Sequence, residues 1–194
     1  MTRRSRKRTG EYIRDPDVKK RICWTLLDLI EGLPRTERQI GEGQVGFLKA
    51  FGAGKLVLIG DQELMWTTDR HAAAEGDRQL RDSIRGAKRL AWELWLVYDH
   101  LDKLSNIGWQ GNIVEMGRRF KRLYESEHLR ELANSLDHAA AERARGLDND
   151  FEVQGGGEGH VQSIKVFGKQ YRVREVIDSA LELRAPLQTF MASI

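Results

Sequence analysis

The chain has 194 residues, with 32 Lys and Arg against 29 Asp and Glu, a formal net charge of +3 and one cysteine. This length suits one domain with a sizeable core, and the single cysteine excludes an intramolecular disulfide framework. No run of about 18 apolar residues predicts a transmembrane helix, and no apolar stretch follows the basic N-terminus as in a secretory signal. We therefore expect an intracellular protein, located in the cytoplasm or in the nucleus or nucleoid.

The positive charge is concentrated near the N-terminus. Residues 1–55 carry thirteen Lys and Arg against seven Asp and Glu, whereas the rest of the chain is close to neutral. We interpret residues 1–14 as a disordered basic arm and residues 15–194 as one globular domain. Such an arm attracts polyanions such as nucleic acid or an anionic lipid surface, although it could also serve only solubility. Its five clustered cations are Arg3, Arg4, Arg6, Lys7 and Arg8.

Helical signals follow the arm. Asp15 is a favourable N-cap and Pro16 suits the first helical position, and apolar residues then recur at helical spacing over residues 18–30. Gly32 supplies a typical C-terminal cap and Pro34 blocks continuation. These residues predict that the first helix ends at Gly32.

The next segment has conflicting signals. Thr36 and Gln39 have the spacing of a capping box, which predicts a new helix start at Thr36. Gly41, Gly43 and Gly46 each weaken a helix by up to about 1 kcal/mol relative to Ala, so the segment is a weak helix or a loop. The glycines match the G-x-G-x-x-G pattern of phosphate-binding loops, but no strand precedes them, and we expect no phosphate cradle.

A β-hairpin and a long helix come next. Residues 55–68 are two apolar runs around a Gly-Asp turn, which predicts a hairpin, and we expect Gly76 to separate a short helix from a longer one. Apolar residues then repeat at spacings of four and three from Leu80 to Leu104. This repeat predicts the central helix of the fold.

The middle of that helix is apolar around most of its circumference. A helix of this kind is covered on all sides by its own chain or forms part of a subunit interface. We expect a homodimer in which Trp92, Trp95 and Leu96 contribute to the interface.

The C-terminal half predicts a helix, a loop and a hairpin. A capping pattern at Asn112 starts a helix that we expect to break near Ser126 and to end at Gly146. Residues 148–159, rich in glycine and acidic side chains, predict a flexible loop.

The last part of the chain carries a second hairpin and a helix. Over residues 162–174 we expect a two-residue turn at Gly168 and Lys169, with Val166 opposite Tyr171. A helix over residues 175–184 should stop before Pro186.

A second basic cluster lies within the predicted helix after Asn112. Its residues are Arg118, Arg119, Phe120, Lys121 and Arg122. On a helix, Arg118 and Arg122 share one face and Phe120 points inward. Four cations on one turn suit a polyanionic partner, or they are neutralised by nearby acids and form a solvated surface.

The residue pattern predicts neither catalysis nor a metal site. Glu125 and His128 form one E-x-x-H, whereas a di-iron bundle requires two. Residues 148–159 resemble only the start of a calcium loop and lack its final glutamate. Cys23 lies among apolar neighbours and is expected to pack rather than to react. We therefore expect no enzymatic activity, no cofactor and no metal.

Together these patterns predict an α-rich fold, a helical bundle around the Leu80–Leu104 helix with two small hairpins. The leading hypothesis is a non-enzymatic nucleic-acid-binding or regulatory protein that uses the basic arm and the basic helix. The alternative is an α-helical self-associating assembly or adaptor protein, matrix-like, whose partner is an anionic membrane surface or a protein.

Overall fold

The computed structural model describes residues 15–52, 55–59, 63–67, 70–104, 112–144, 151–155 and 160–194. The predicted basic arm, with Arg3, Arg4, Arg6, Lys7 and Arg8, and the predicted helix end at Gly146 lie outside these residues. The elements in chain order are α1 (Pro16–Gly52), β1 (Lys55–Ile59), β2 (Glu63–Thr67), α2 (Arg70–Leu104), α3 (Asn112–Ser126), α4 (Leu129–Ala144), β3 (Phe151–Gly155), β4 (Val161–Val166), β5 (Lys169–Arg172), α5 (Arg174–Leu181) and α6 (Arg184–Ser193).

The fold is α-rich, as the sequence predicts, and α2 is its central helix. α2 packs against α1, α3 and α4. α1 and α2 are antiparallel, since Thr36 contacts Glu93 whereas Gly43, further along α1, lies against Gln79. The predicted hairpin at residues 55–68 is confirmed, because β1 and β2, which follow α1 and precede α2 in the chain, pair antiparallel.

The start of α1 matches its prediction, but its end does not. The Asp15 carboxylate accepts a 2.9 Å hydrogen bond from the Asp17 backbone N–H, as an N-cap does. The helix then continues through Pro34 to Gly52, so the predicted end at Gly32 is wrong. Proline in a helix interior costs about 3 kcal/mol because a backbone hydrogen bond is lost. A continuous helix offsets this cost by keeping one side of α1 buried in the core, on which Ile30, Leu33, Thr36, Glu37 and Ile40 lie.

The packing of α1 against α2 also explains two other differences from the sequence pattern, the capping box at Thr36 and the glycine-rich segment. Thr36 lies inside α1 with its side chain buried, so the predicted capping box is wrong. Gly43 and Gly46 are helical residues at the contact with α2, and a Cβ atom added at Gly43 would lie 2.9 Å from the carbonyl oxygen of Gln79. The G-x-G-x-x-G pattern is therefore a close helix–helix contact in this fold.

The same contact explains why α2 is longer than predicted. α2 runs without interruption through Gly76, so the expected break there is wrong. A Cβ atom at Gly76 would lie 3.1 Å from the Cβ of Ala50, and one at Gly86 would lie 2.8 Å from the side chain of Ile40. Glycine on both helices lets their backbones approach closely.

The break predicted near Ser126 is confirmed. α3 ends at Ser126 and α4 begins at Leu129, with His128 between them at φ 52°. That left-handed conformation turns the chain sharply without a glycine. It places the start of α4 beside the end of α3.

The second sheet is antiparallel with strand order β3-β4-β5. The predicted hairpin exists, but its turn is formed by Phe167 and Gly168, both at positive φ, as in a type I′ turn. Tyr171 consequently pairs with Ile164 and not with Val166. The observed pairing is shifted by two residues from the predicted one. Since side chains alternate between the two faces of a strand, a shift of two leaves the same side chains on the buried face.

The expectation of a loop over residues 148–159 is wrong for residues 151–155. Phe151–Gly155 forms β3 and pairs with β4, because Phe151 and Val153 alternate with exposed residues and bury their side chains. Residues 148–150 and 156–159 lie outside the described part of the chain.

The C-terminal helices α5 and α6 pack against α1 and α3. α5 ends at Leu181, earlier than predicted, and Pro186 lies in the first turn of α6, where no intrahelical N–H bond is needed. Phe190 and Met191 are half-buried against the core. No helix among the described residues is long and apolar enough to cross a membrane.

Cys23 is fully buried in the core, as predicted for a packing residue. Burial raises the pKa of its thiol from 9.0 to about 11. The reactive thiolate is correspondingly rare at neutral pH.

Candidate functional site

The basic cluster of α3 is divided between paired and exposed cations. Arg119 donates a 2.9 Å hydrogen bond to the carboxylate of Glu182. Lys121 donates a 2.5 Å hydrogen bond to Asp102. Arg118 and Arg122 are exposed and have no ion-pair partner among the described residues. The cluster therefore leaves two arginines, one turn apart, exposed to solvent.

Phe120 anchors this helix to the core. Its side chain is fully buried, as the helical spacing predicts, and it lies on the face opposite to the exposed arginines. The position of Arg118 and Arg122 is consequently fixed by packing on the other side of α3.

Lys121 connects the basic helix to a neighbouring groove. Its ammonium group lies 5.1 Å from the centre of the Tyr98 ring, a cation–π contact, in addition to its bond with Asp102. The groove, which we call the aromatic groove, lies between α2, α3 and α4 and has a volume of about 570 Å³. It is lined by Trp95, Tyr98, Asp99, Asp102, Tyr124, Glu125, His128, Arg130, Glu131 and Asn134.

Two stacked tyrosines form the centre of the aromatic groove. The rings of Tyr98 and Tyr124 have their centres 4.8 Å apart. The Tyr98 hydroxyl donates a 2.6 Å hydrogen bond to Glu125, and this bond, with burial, raises the pKa of Tyr98 from 10.0 to about 12. Burial likewise raises the pKa of Tyr124 to about 12.

The Tyr124 hydroxyl has an unusual environment. The residue is only 3% exposed, and its hydroxyl is buried without a hydrogen-bond partner in the described structure. Buried polar groups in proteins are nearly always paired, because an unpaired one costs about 1–3 kcal/mol. Tyr124 lines the groove, but its hydroxyl is buried away from solvent.

The E-x-x-H pair also lies in this groove, but not as a metal site. Glu125 is hydrogen-bonded to Tyr98, and the ring nitrogen Nδ1 of His128 lies 3.9 Å from Glu131. No cluster of His, Cys, Asp and Glu suited to a metal ion occurs within the described ranges.

The residues predicted for self-association differ in their exposure to solvent. Trp92 is 56% exposed, whereas Trp95 and Leu96 are half-buried. The indole rings of Trp92 and Trp95 are stacked with their centres 4.7 Å apart. The result is an exposed aromatic surface on α2 next to the aromatic groove.

The groove could not be predicted from the residue pattern. Tyr98 and Tyr124 both fit the apolar spacing of their helices, and that spacing predicts core residues. The available signal was the polar residues near them, Asp99 and Asp102 after Tyr98 and Glu125 after Tyr124. Only the packing of α3 beside α2 brings the two tyrosines together.

The fold and these two surfaces define an α-rich protein with two small antiparallel sheets, an exposed arginine pair and an aromatic groove lined by carboxylates. Comparison of the chain with models of known protein families, with curated proteins and with solved structures found no match.

Proposed function

We propose that this chain is a non-enzymatic nucleic-acid-binding protein with a regulatory role, which contacts phosphates through its N-terminal cations and through α3. The observation that supports this most directly is the exposed arginine pair, Arg118 and Arg122, without acidic partners in the described structure. Arginine binds phosphate oxygens through two parallel N–H bonds, so two arginines on one face suit a polyanionic backbone.

The neighbouring charges limit where the phosphates would lie. Asp99, Asp102 and Glu125 line the aromatic groove and would repel an anion there. The proposed contact is therefore on the outer face of α3. It would not depend on nucleotide sequence, because phosphate contacts carry no direct sequence information.

The test is a salt titration of binding to duplex DNA and to single-stranded RNA. On duplex DNA log K falls as log salt rises, and each neutralised phosphate adds about 0.9 to the steepness of that fall. Arg118→Gln with Arg122→Gln should therefore make the slope shallower by about 1.8, and deletion of residues 1–10 should make it shallower by roughly 4 to 5.

A matched control removes the same charge elsewhere. Arg81 and Arg85 are also exposed and one turn apart, but they form ion pairs with Asp77 and Asp82 at 3.0 and 3.3 Å. Arg81→Gln with Arg85→Gln should change the slope far less than the α3 pair. If both pairs of substitutions change the slope equally, the effect comes from net charge and not from the position of Arg118 and Arg122.

An unchanged slope after deletion of residues 1–10 would refute a role for the arm. Tighter binding to anionic liposomes than to either nucleic acid would refute the proposal.

Exposure of Trp92 supports a second candidate, self-association through α2. Trp92 stacks on Trp95, and burial of a large apolar side chain contributes about 1.5–3 kcal/mol, so an interface that covers this pair would be stabilised. In a two-fold dimer the same patch would be used by both copies. Trp92→Glu should then give a folded monomer, since a buried unpaired charge is strongly unfavourable.

Trp92 is a better target than Trp95, which is half-buried and packs against the core. Sedimentation of the wild type and of Trp92→Glu at tens of micromolar tests this candidate. A wild type that sediments as a monomer would exclude it.

A further inference from the structure

We propose that Arg119 is a third phosphate-binding residue of α3, and that Glu182 lowers the affinity of this surface for nucleic acid by binding Arg119. The inference rests on the proposed function, because it concerns the same outer face of α3. It assigns to that face a residue that opposes binding, which the contacts of Arg118 and Arg122 alone do not provide.

Arg119 lies beside the exposed arginine pair on the surface of α3. It is adjacent to Arg118 and three residues before Arg122, so the three side chains cover an arc of about 100° of the helix. Each guanidinium can donate two parallel N–H bonds to one phosphate. Three of them on one arc suit a row of phosphates better than two do. Only its present ion pair distinguishes Arg119 from the other two.

The ion pair of Arg119 is of a kind that a phosphate can replace. Its Nη1 atom donates to the Oε2 atom of Glu182 at 2.9 Å, and the two side chains are 56% and 44% exposed. Exposed ion pairs contribute little to stability, because water solvates both partners well. Glu115, one turn earlier on α3, forms no ion pair in the described part of the chain. Glu182 is therefore the acid that holds Arg119.

The fold keeps Glu182 beside the arginines. It follows α5, which packs against α3, and its backbone N–H donates a 3.0 Å hydrogen bond to the carbonyl oxygen of Asp178. The carboxylate consequently remains nearby when Arg119 turns towards a phosphate, and its negative charge then repels that phosphate. Glu182 thus opposes binding in two ways, by competing for the guanidinium and by repulsion.

The other paired cation of α3 provides a matched control. Lys121 is bonded to Asp102, but its side chain is only 26% exposed and its ammonium group also lies over the Tyr98 ring. Loss of the Asp102 charge would leave Lys121 in contact with this ring. Asp102→Asn therefore removes the same charge as Glu182→Gln without adding a cation to the outer face of α3.

The experiment is a salt titration of duplex DNA binding by the full chain, as wild type, Glu182→Gln and Asp102→Asn. One added phosphate contact makes log K fall more steeply with log salt by about 0.9. If its effect vanishes at about 1 M salt, the same contact tightens binding about eightfold at about 0.1 M salt. We expect both changes in Glu182→Gln. Asp102→Asn should leave the slope unchanged and alter the affinity less than about twofold, because salt screens a distant charge.

A double-mutant cycle with Arg119→Gln shows whether Glu182 acts through Arg119. In the wild type, where Glu182 holds this arginine, Arg119→Gln should weaken binding less than about threefold. In the Glu182→Gln background the same substitution should weaken it about eightfold at about 0.1 M salt, because a phosphate contact is then lost.

Four results would overturn the inference. If the wild type binds but Glu182→Gln changes neither slope nor affinity, the inference is wrong and the proposed function is unaffected. Equal gains in Glu182→Gln and Asp102→Asn would assign the effect to net charge. Equal losses from Arg119→Gln in both backgrounds would show that Glu182 does not control Arg119. Absence of salt-dependent binding by the wild type would refute the proposed function, and this inference with it.

Discussion

The hydroxyl of Thr36 donates a 2.8 Å hydrogen bond to the buried carboxylate of Glu93, which links the middle of α1 to the middle of α2. Arg89 donates a second bond of 2.8 Å to the same carboxylate. A polar pair thus lies within a largely apolar helix contact. Such a pair favours one alignment of the helices, because any shift removes the bond from Thr36 to the buried carboxylate.

Replacement of Thr36 by Val should therefore destabilise the protein by about 1–3 kcal/mol, since a buried carboxylate loses one of its donors. Thr25 is the matched control, because its exposed hydroxyl bonds only to a carbonyl of its own helix. Thr25→Val should change the free energy of unfolding by no more than about 0.5 kcal/mol. Urea unfolding of both variants measures the difference, and equal effects would contradict the proposed role of Thr36.

Two glycines of α1 should respond to alanine with opposite signs. At Gly43 a Cβ atom would lie 2.9 Å from the Gln79 carbonyl oxygen and 3.0 Å from the Ser83 backbone nitrogen. Because backbone atoms cannot move aside, Gly43→Ala should destabilise by about 1–3 kcal/mol. At Gly32 the nearest atom is 3.8 Å away, so alanine should stabilise the helix by about 0.5–1 kcal/mol. Thermal unfolding tests this, and stabilisation by both changes would refute the close contact.

A buried carboxylate also joins α1 to the C-terminal part of the fold. Glu37 is 3% exposed, accepts from the Val161 backbone N–H at 2.8 Å, and is bonded by Arg174 at 2.8 and 3.0 Å. Arg174→Met would leave this charge without its cation, and we expect a loss of about 3–5 kcal/mol. Arg184, which is exposed and 3.3 Å from Glu31, is the control.

Arg184→Met should cost less than about 1 kcal/mol, as exposed ion pairs usually do. Denaturant unfolding at neutral pH compares the two variants. A similar loss in both would mean that the Glu37 cluster contributes no more than a surface pair.

Alkaline stability should depend on Tyr124. Its pKa is raised from 10.0 to about 12 in the folded state, so between pH 10 and pH 12 the unfolded chain loses this proton first. The stabilisation is complete below pH 10 and disappears as the pH rises to about 12. Tyr124→Phe cannot lose this proton, so its stability should fall less steeply over that range. Urea unfolding at several pH values tests this, and parallel curves would contradict it.

Much of the local structure could be predicted because its causes are local. The N-cap at Asp15, the apolar repeat of α2 and the break after Ser126 all depend on neighbouring residues. Hydrogen bonds and side-chain spacing within one or two turns determine such features, and the sequence contains them in full. The basic helix and its inward Phe120 could be predicted for the same reason.

Tertiary packing decided the rest. Burial between helices outweighs the local cost of a residue that disfavours a helix, and the sequence does not show which helices will meet. Pro34 and Gly43 each disfavour a helix by a known amount, but burial of the same face of α1 against α2 exceeds that sum, and Gly43 permits the close approach. The aromatic groove likewise depends on contacts between helices distant in sequence. Periodicity places Tyr98 and Tyr124 on inner faces, but only the placement of α3 beside α2 leaves a groove between them with an unpaired hydroxyl.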